Sequence, residues 1–559
     1  MGRKGIFLDF QRVDSLFTGL AQAYVKREAD VASLFPYDYS SLESYWRRSK
    51  WIDEYCSIPR NAVAEILVEE QHRLSLLAGT NGDDNKALEA AKNINHSQSL
   101  VVITGQQTGL FTGPHFTLLK AFTAIAHAQR LQDFLGRPVI PLFWMATEDH
   151  DFEEVSKTEL AQGEKVHTIA LADKRASKKP IGQLNLPEKW LETVDAFTSL
   201  LPQNDKGSEW KRFLMELSSR TSSFSDFFAV LIHRLTASYG LVIFDPMNKA
   251  FKELDETKTF YKELIKKHDS LAKELSHACG HIRSLGYEPQ VEKPAQQLYL
   301  FYHHDGERKA IVKESGLDKS SVPCFQVLNS EVSFYEQELI ELLQQEPTKF
   351  SSNVISRPLW QDRIFPTIAY VAGPGEIAYY ASYGPIYNLM NQQMPPILPR
   401  LSVTFVEGYI GKLLNRYNST FEDFREHADH IMAQAIKAED KLSIDLLFDL
   451  LRSDVQESYQ KIIEPLAKWD LHTGKLAEEN FERVIGQINY LEKKAQQRHR
   501  QNCQEIKKHF NKLQSHLWPG GPQERILNVL PYLIKYERLT DELLEVPMEY
   551  LDSHLLLYL

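Results

Sequence analysis

The sequence is poor in cysteine. Its 559 residues include only Cys56, Cys279, Cys324 and Cys503, far apart and none in a C-x-x-C pair. That spacing excludes a zinc ribbon and a disulfide framework, and it fits a reducing cytosol. Long apolar runs are also missing: the longest, such as 139–146, fall far short of the roughly 20 residues a membrane helix needs. The opening MGRKGIFLDFQ holds two basic residues but no signal-peptide core, and Ile6 breaks the myristoylation pattern. There is no basic excess either. Lys plus Arg number 64 against 75 Asp plus Glu, a net charge of −11, whereas a chain built to grip nucleic acid needs a basic surface. The expectation is a cytoplasmic protein with no membrane and no nucleic-acid partner.

What is present is an ordinary globular composition, 43% hydrophobic and 25% charged. The length exceeds what one core serves, about 250–300 residues, so several units are expected. Residues 1–95 read as a mostly helical segment packing on a core, with a loop at Asn81-Gly82-Asp83-Asp84. Leu100-Val-Val-Ile-Thr104, a glycine loop, helical spacing over 117–131 and the apolar run 139–145 then form a βαβ unit. Both strands are nearly all apolar, as strands covered on both faces are. Gly240-Leu-Val-Ile-Phe-Asp245 and Thr367-Ile-Ala-Tyr-Val371 have the same texture.

The core is therefore assigned to 96–160, 231–250 and 346–410. It is interrupted by insertion 1 at 161–230, with a lysine-rich loop at 173–180, and insertion 2 at 251–345. Insertion 2 contains a hairpin turning at Asp305-Gly306; His303 and His304 read as its surface. Residues 411–540 read as two long antiparallel helices, broken at 469–475 and stopped at Trp518-Pro-Gly-Gly-Pro522, with a tail at 541–559. Ile444, Phe448, Leu451, Val455, Ile462, Leu466 and Trp469 mark the seam. This is either a hairpin packed on itself or a coiled coil that also dimerises.

Four constellations could carry chemistry. The first is Thr104-Gly105-Gln106-Gln107-Thr108-Gly109, continuing through Thr112-Gly113-Pro114-His115 to Thr117, with Lys120 one turn into the helix. Glycines let backbone approach a ligand, and a helix start attracts anions. A tight turn needs fewer hydroxyl, amide and imidazole groups than this. The second is Glu148-Asp149-His150-Asp151, directly after a buried strand, where open α/β sheets bind ligands. It could bind an ammonium, take a proton or hold a divalent cation; the plain reading is an acidic helix start. The third runs from Arg357 through Gln361 to Gly373-Pro374-Gly375-Glu376 and Tyr379, with an arginine able to clamp a carboxylate. The fourth, weaker, is Pro399-Arg400, a loop at a strand start.

Together these segments resemble the cysteine ligases of bacillithiol biosynthesis, the BshC family. The matching residues are Thr104-Gly105-Gln106-Gln107 with Gly109 and Thr112-Gly113-Pro114, Phe143-Trp144 with Glu148–Asp151 and Phe152, and Arg357-Pro358 with Gln361-Asp362. Gly373-Pro374, Glu376-Ile377-Ala378-Tyr379 and Pro399-Arg400 complete the set, in order along the whole chain. The resemblance implies an α/β fold: a Rossmann-like, nucleotidylyltransferase-type core with two connecting-peptide insertions and a C-terminal helical coiled-coil domain that makes a homodimer. It implies a ligase joining cysteine to the amine of glucosaminyl malate, with both as small-molecule partners. Thr112-Gly113-Pro114-His115 lies where related folds carry an ATP-binding histidine motif. One of that motif's two histidines has a counterpart here, and the lysine-based second motif is absent after the last core strand.

On this reading ATP is the expected activator of the cysteine carboxylate; no metal ligand set is assigned, and a divalent cation is left open. Gly105, Gly109, Gly113, Thr117 and Lys120 are expected at the cofactor. Gln106, Gln107 and His115 would face the phosphate or transition state, Asp149 or Asp151 the cysteine ammonium, and His150 or Glu148 the proton of the sugar amine. Arg357 or Arg400 would bind malate carboxylates; Thr112, Gln361, Glu376 and Tyr379 complete the expected substrate contacts. The alternatives are a non-catalytic dimeric scaffold that binds a nucleotide or thiol metabolite, and a metal-dependent hydrolase centred on Glu148–Asp151.

Overall fold

The computed structural model describes residues 9–80, 85–171, 178–314, 324–439 and 443–559. The expected loop at 81–84, and 173–177 of the lysine-rich loop, lie outside them. Five parallel strands make the central sheet: β1 (Leu100–Gln106), β2 (Val139–Met145), β3 (Val242–Phe244), β4 (Thr367–Ala372) and β5 (Ile397–Pro399). Their spatial order is β5-β4-β1-β2-β3. The chain builds outward from β1 through β2 to β3, then crosses back to place β4 on the other side of β1. That reversal is the switch point at which α/β sheets open a crevice. Register aligns the strand ends: Gln106 sits beside Met145, Thr104 beside Val371 and Ala372 beside Pro399.

Sequence explains the sheet directly. β2 is buried at every position and β1 at all but its last, because helices cover both faces. Helix α1 (His115–Leu135) makes the crossover from β1 to β2 and ends at Gly136, whose φ of 64° closes it in the left-handed region. Each large apolar side chain taken from water in this layer stabilises the fold by about 1.5–3 kcal/mol.

Insertion 2 builds its own five-stranded antiparallel sheet around the hairpin Gln297–His304/Glu307–Glu314. Asp305 and Gly306 have φ of 54° and 75°, the two positive values a type I′ turn requires. The strand Phe350–Ser352, inside the segment assigned to the core, joins this sheet by pairing with Gln297–His304 and so brings the insertion to the core's strand ends. His303 is not plain hairpin surface. Its Nε2 lies 2.8 Å from Ser351 Oγ, and burial, Lys252 and Arg308 depress its pKa to about 3.

Towards the C-terminus stands a helical arm of α2 (Phe421–Glu439), α3 (Ile444–Trp469) and α4 (Leu471–Leu517). The break expected over 469–475 is shorter: α4 restarts at Leu471, with Asp470 accepting from Thr473 N at 2.8 Å. The last long helix ends at Leu517, at the stop expected from Trp518-Pro-Gly-Gly-Pro522, although the segment assigned to the arm ran on to 540. From Gln523 the chain returns to the core, and His554–Tyr558 enters a three-stranded sheet between Asp9–Val13 and Val403–Val406. A second apolar cluster, including Val406, Phe421, Phe510 and Leu556, seats the base of the arm on that sheet. No helix among the described residues is long and apolar enough to cross a membrane.

Candidate active site

The crevice at the switch point is a cleft of about 630 Å³. β1 ends in it at Gly105, where a Cβ would stand 3.1 Å from Trp144 O, so any larger residue would push the two strand ends apart. Gln106, Gln107, Lys120, Glu148, Asp149, His150, Arg357, Glu376, Tyr379 and Arg400 line the same cleft. The three main constellations, the third more than 200 residues beyond the other two in sequence, therefore meet at one place.

Lys120, buried in the second turn of α1, donates to Gly105 O at 2.8 Å and Gln106 Oε1 at 3.0 Å and ion-pairs with Glu376. Burial lowers its pKa against the opposing pull of Glu376. Glu376 also accepts from Gly373 N at 2.6 Å and from the Tyr370 hydroxyl at 2.7 Å. Arg357 donates to Gln361 Oε1 at 3.1 Å and to the Tyr370 and Tyr379 hydroxyls at 3.3 and 3.4 Å. It has no carboxylate partner among the described residues. Burial opposes its charge, but the surrounding tyrosines and Glu376 outweigh that and hold the guanidinium charged.

On the opposite wall Gln107 Nε2 donates to Asp149 Oδ2 at 3.0 Å, and the backbone N–H of His150 to Asp149 Oδ1 at 2.8 Å. Gln107 Oε1 is buried and without a hydrogen-bond partner among the described residues, an unusual state for an amide. Burial and Arg308 depress the His150 pKa, so the imidazole is neutral at neutral pH. Glu154, on the same turn, has its carboxyl pKa raised, chiefly by burial.

Several expected site residues are elsewhere. His115 is fully buried against Phe405 and Tyr532, with ring centroids 5.1 and 5.2 Å away. Desolvation depresses its pKa to about 3, so it can neither reach the cleft nor carry a proton there. Thr112 and Thr117 are buried as well. Gly109 and Gly113 pack on each other: a Cβ on Gly109 would stand 2.8 Å from Gly113 Cα. The loop's carbonyls are taken by Asn528, whose amide donates to Phe111 O and, at 3.1 Å, to Gly113 O. The loop is a packed turn, and its carbonyls bind the returning C-terminal segment. Asp151 is exposed and caps the short helix Phe152–Val155. Gln361 is fully buried and supports Arg357 from behind.

Two further expectations change. Glu148 lines the cleft but ion-pairs with buried Lys252 and accepts from Ser352 Oγ at 2.8 Å, which leaves it poorly placed as a base. Arg400, just past the end of β5, is 2% exposed and donates to Glu524 Oε1 at 2.6 Å, so its charge is already matched. No three His, Cys, Asp or Glu side chains among the described residues converge as a metal set.

Sequence reasoning missed Arg308, Lys252, Lys293, Glu154 and Arg525. Each lies in a polar stretch where burial or cleft exposure leaves no local signature. Lys293 and Arg525 line the cleft without an ion pair among the described residues. The lining cations Lys120, Lys293, Arg308, Arg357, Arg400 and Arg525 outnumber the carboxylates Glu148, Asp149, Glu154 and Glu376, in a chain whose net charge is −11. Such a cleft selects anionic ligands.

A Rossmann-type α/β enzyme with a polar, cation-rich switch-point cleft is the class these features define. Residues 8–401 match the family model described as "Bacillithiol biosynthesis BshC, N-terminal Rossmann-like domain", and residues 403–559 match that of its C-terminal coiled-coil domain. The chain belongs to the BshC family. A relative from Heliobacterium modesticaldum is 44% identical over 551 residues, covering 98% of this chain and all of that protein. One from Symbiobacterium thermophilum is 32% identical, covering 97% and 98%, and one from Bacillus licheniformis 31%, covering 92% of each. All three carry the name "Putative cysteine ligase BshC".

Proposed function

We propose that the cleft joins the carboxyl group of cysteine to the amine of glucosaminyl malate, forming an amide. The observation that carries this reading is the set of uncommitted cations, Arg357, Lys293 and Arg525, facing one cleft with Asp149 and Glu154. The acceptor's malate unit is a dicarboxylate, which Arg357 would clamp and Lys293 or Arg525 would complete. Asp149 is the carboxylate for the cysteine ammonium. Glu154, whose carboxyl pKa burial raises, takes a proton from the sugar ammonium and frees its nitrogen to attack.

Condensing a carboxylate with an amine is uphill in water, so the carboxylate must be activated. ATP is the proposed donor. The glycine loop does not fit a phosphate, because Asn528 and its own glycines fill it. The cleft cations are the groups that would hold a phosphate, and phosphate transfer is the chemistry ATP would supply. The decisive experiment incubates the full chain with cysteine, glucosaminyl malate and ATP, following amide product together with AMP and ADP. AMP would mark an adenylate and ADP an acyl phosphate. Product without either would point to another activator, and no product under any donor would overturn the reading.

We also propose that the arm pairs with a second copy of this chain. Leu446, Leu447, Leu450 and Leu476 are each at least half exposed, an apolar surface rarely left to water. Light scattering on the intact protein tests it; a monomer at micromolar concentration would refute it. The cysteine substrate and the four free cysteines suit a reducing compartment, the cytoplasm.

A further inference from the structure

We infer that Arg308, on the hairpin of insertion 2, fixes the tautomer of His150 so that the neutral imidazole presents Nε2–H to the cleft and serves there as a hydrogen-bond donor, not as a base. What that donor faces rests on the ligase reading; the tautomer itself does not.

Arg308 is held on every side. Its side chain is 7% exposed and lies 3.9 Å over the Phe301 ring. Nε donates to Ser351 Oγ at 3.1 Å and Nη2 to Ser352 O at 2.6 Å. These contacts tie the guanidinium to the strand Phe350–Ser352 and aim Nη1 at the acidic turn. There Nη1 stands 3.4 Å from His150 Nδ1 and 3.5 Å from Asp149 Oδ1. A guanidinium has no lone pair to offer, so at this contact it can only donate. Nδ1 must then be the unprotonated nitrogen, and the ring's single proton sits on Nε2.

The competing arrangement puts the proton on Nδ1 and points it at Asp149. Asp149 Oδ1 is 3.7 Å from Nδ1, beyond hydrogen-bond reach, and already accepts the His150 backbone N–H at 2.8 Å. Its other oxygen is taken by Gln107. A proton on Nδ1 would also face the Arg308 charge. Asp151 and Lys293 are the remaining charged groups near the ring. The His150 side chain is 39% exposed and lines the cleft, so Nε2–H is free to reach a ligand. During amide formation the activated carbonyl develops negative charge on oxygen, and a fixed donor stabilises that charge without exchanging a proton. Arg308 is thus a positioning residue and His150 the group that meets substrate.

Two measurements test this. In the full-length protein with 15N-labelled histidine, His150 is assigned by the signal lost in His150→Gln. At pH 7.5 its Nε2 should resonate as protonated and its Nδ1 as unprotonated; the reverse pattern overturns the inference. Arg308→Met, with no donor, should shift the proton toward Nδ1, and Arg308→Lys should restore the wild-type pattern. Should the methionine variant fail to fold, the wild-type and lysine spectra still decide. The second measurement is ligation. A glutamine amide in place of the imidazole can replace an Nε2–H donor but not a base. His150→Gln should therefore retain far more turnover than His150→Ala, which should lose about 100-fold or more. Equal loss in both variants refutes the donor role. A wild-type protein with no ligation but the Nε2–H tautomer would refute the ligase reading and leave the tautomer standing.

Discussion

Two turns in this molecule follow buried parallel strands, and both are dense in polar groups. The turn after β2 opens on the cleft, with Asp149, His150 and Glu154 facing space that ligand can enter. The loop after β1 starts in the cleft at Gly105 to Gln107 and then leaves it. From Gly109 to Gly113 it is buried, pinned by Asn528 and by Phe111 stacked 4.0 Å from Phe197. Phe111 and Thr112 hold φ of 47° and 78°, which L residues rarely adopt unless the surroundings impose it. Density of polar residues therefore does not define a site. What separates the two turns is whether another part of the chain arrives to use their hydrogen-bonding groups.

That contrast can be broken at either turn. The largest effect belongs to the cleft: Arg357→Ala should cut kcat/KM for ligation by about 100-fold or more, while thermal unfolding of the variant moves little. Near-wild-type kinetics would remove the carboxylate clamp from the mechanism. At the packed turn the sign of the comparison reverses. Asn528→Ala leaves Phe111 O, Gly113 O and Thr158 Oγ1 without their donor, and should cost about 2–3 kcal/mol in denaturant unfolding with KM unchanged. A raised KM without lost stability would return the loop to the active site.

The effect that vanishes at neutral pH, and is the most specific, is at His115. Its native pKa is about 3, against about 6.5 for an imidazole in the unfolded chain. Between those values the unfolded state binds the extra proton, so stability is full above pH 6.5 and falls as pH drops, by about 1.4 kcal/mol per unit while the native ring stays neutral. His115→Phe should remove that contribution, so the gap between wild type and variant should widen from pH 6.5 to 4.5 in unfolding midpoints. Its ligation rate should stay near wild type; a strong loss would show that the ring acts in catalysis after all.

The legibility of this protein divides along the same line. β1, β2 and β4 were readable because strands covered on both faces must be continuously apolar. The Asp305-Gly306 hairpin was readable because few residue pairs tolerate two positive φ values. The long helices declared themselves by spacing and the end of α4 by Trp518-Pro519, but the return of the chain to the core from Gln523 did not. Arg308, Lys252 and Arg525 gave no sign, since a lysine or arginine in a polar stretch looks alike whether it meets water, a buried carboxylate or a ligand.

The order of apolar and polar residues along the chain was enough, by itself, to specify a parallel α/β core, two insertions and a helical arm, because secondary structure and its buried faces follow from local periodicity. Which polar groups share the cleft was decided only in three dimensions. Arg400 meets Glu524 across 124 positions, Glu148 meets Lys252 across 104, and Arg308 approaches His150 across 158. The hydrogen-bonding capacity of a side chain is a property of its type; whether that capacity is spent on the protein or left for a substrate depends on which distant segment packs against it.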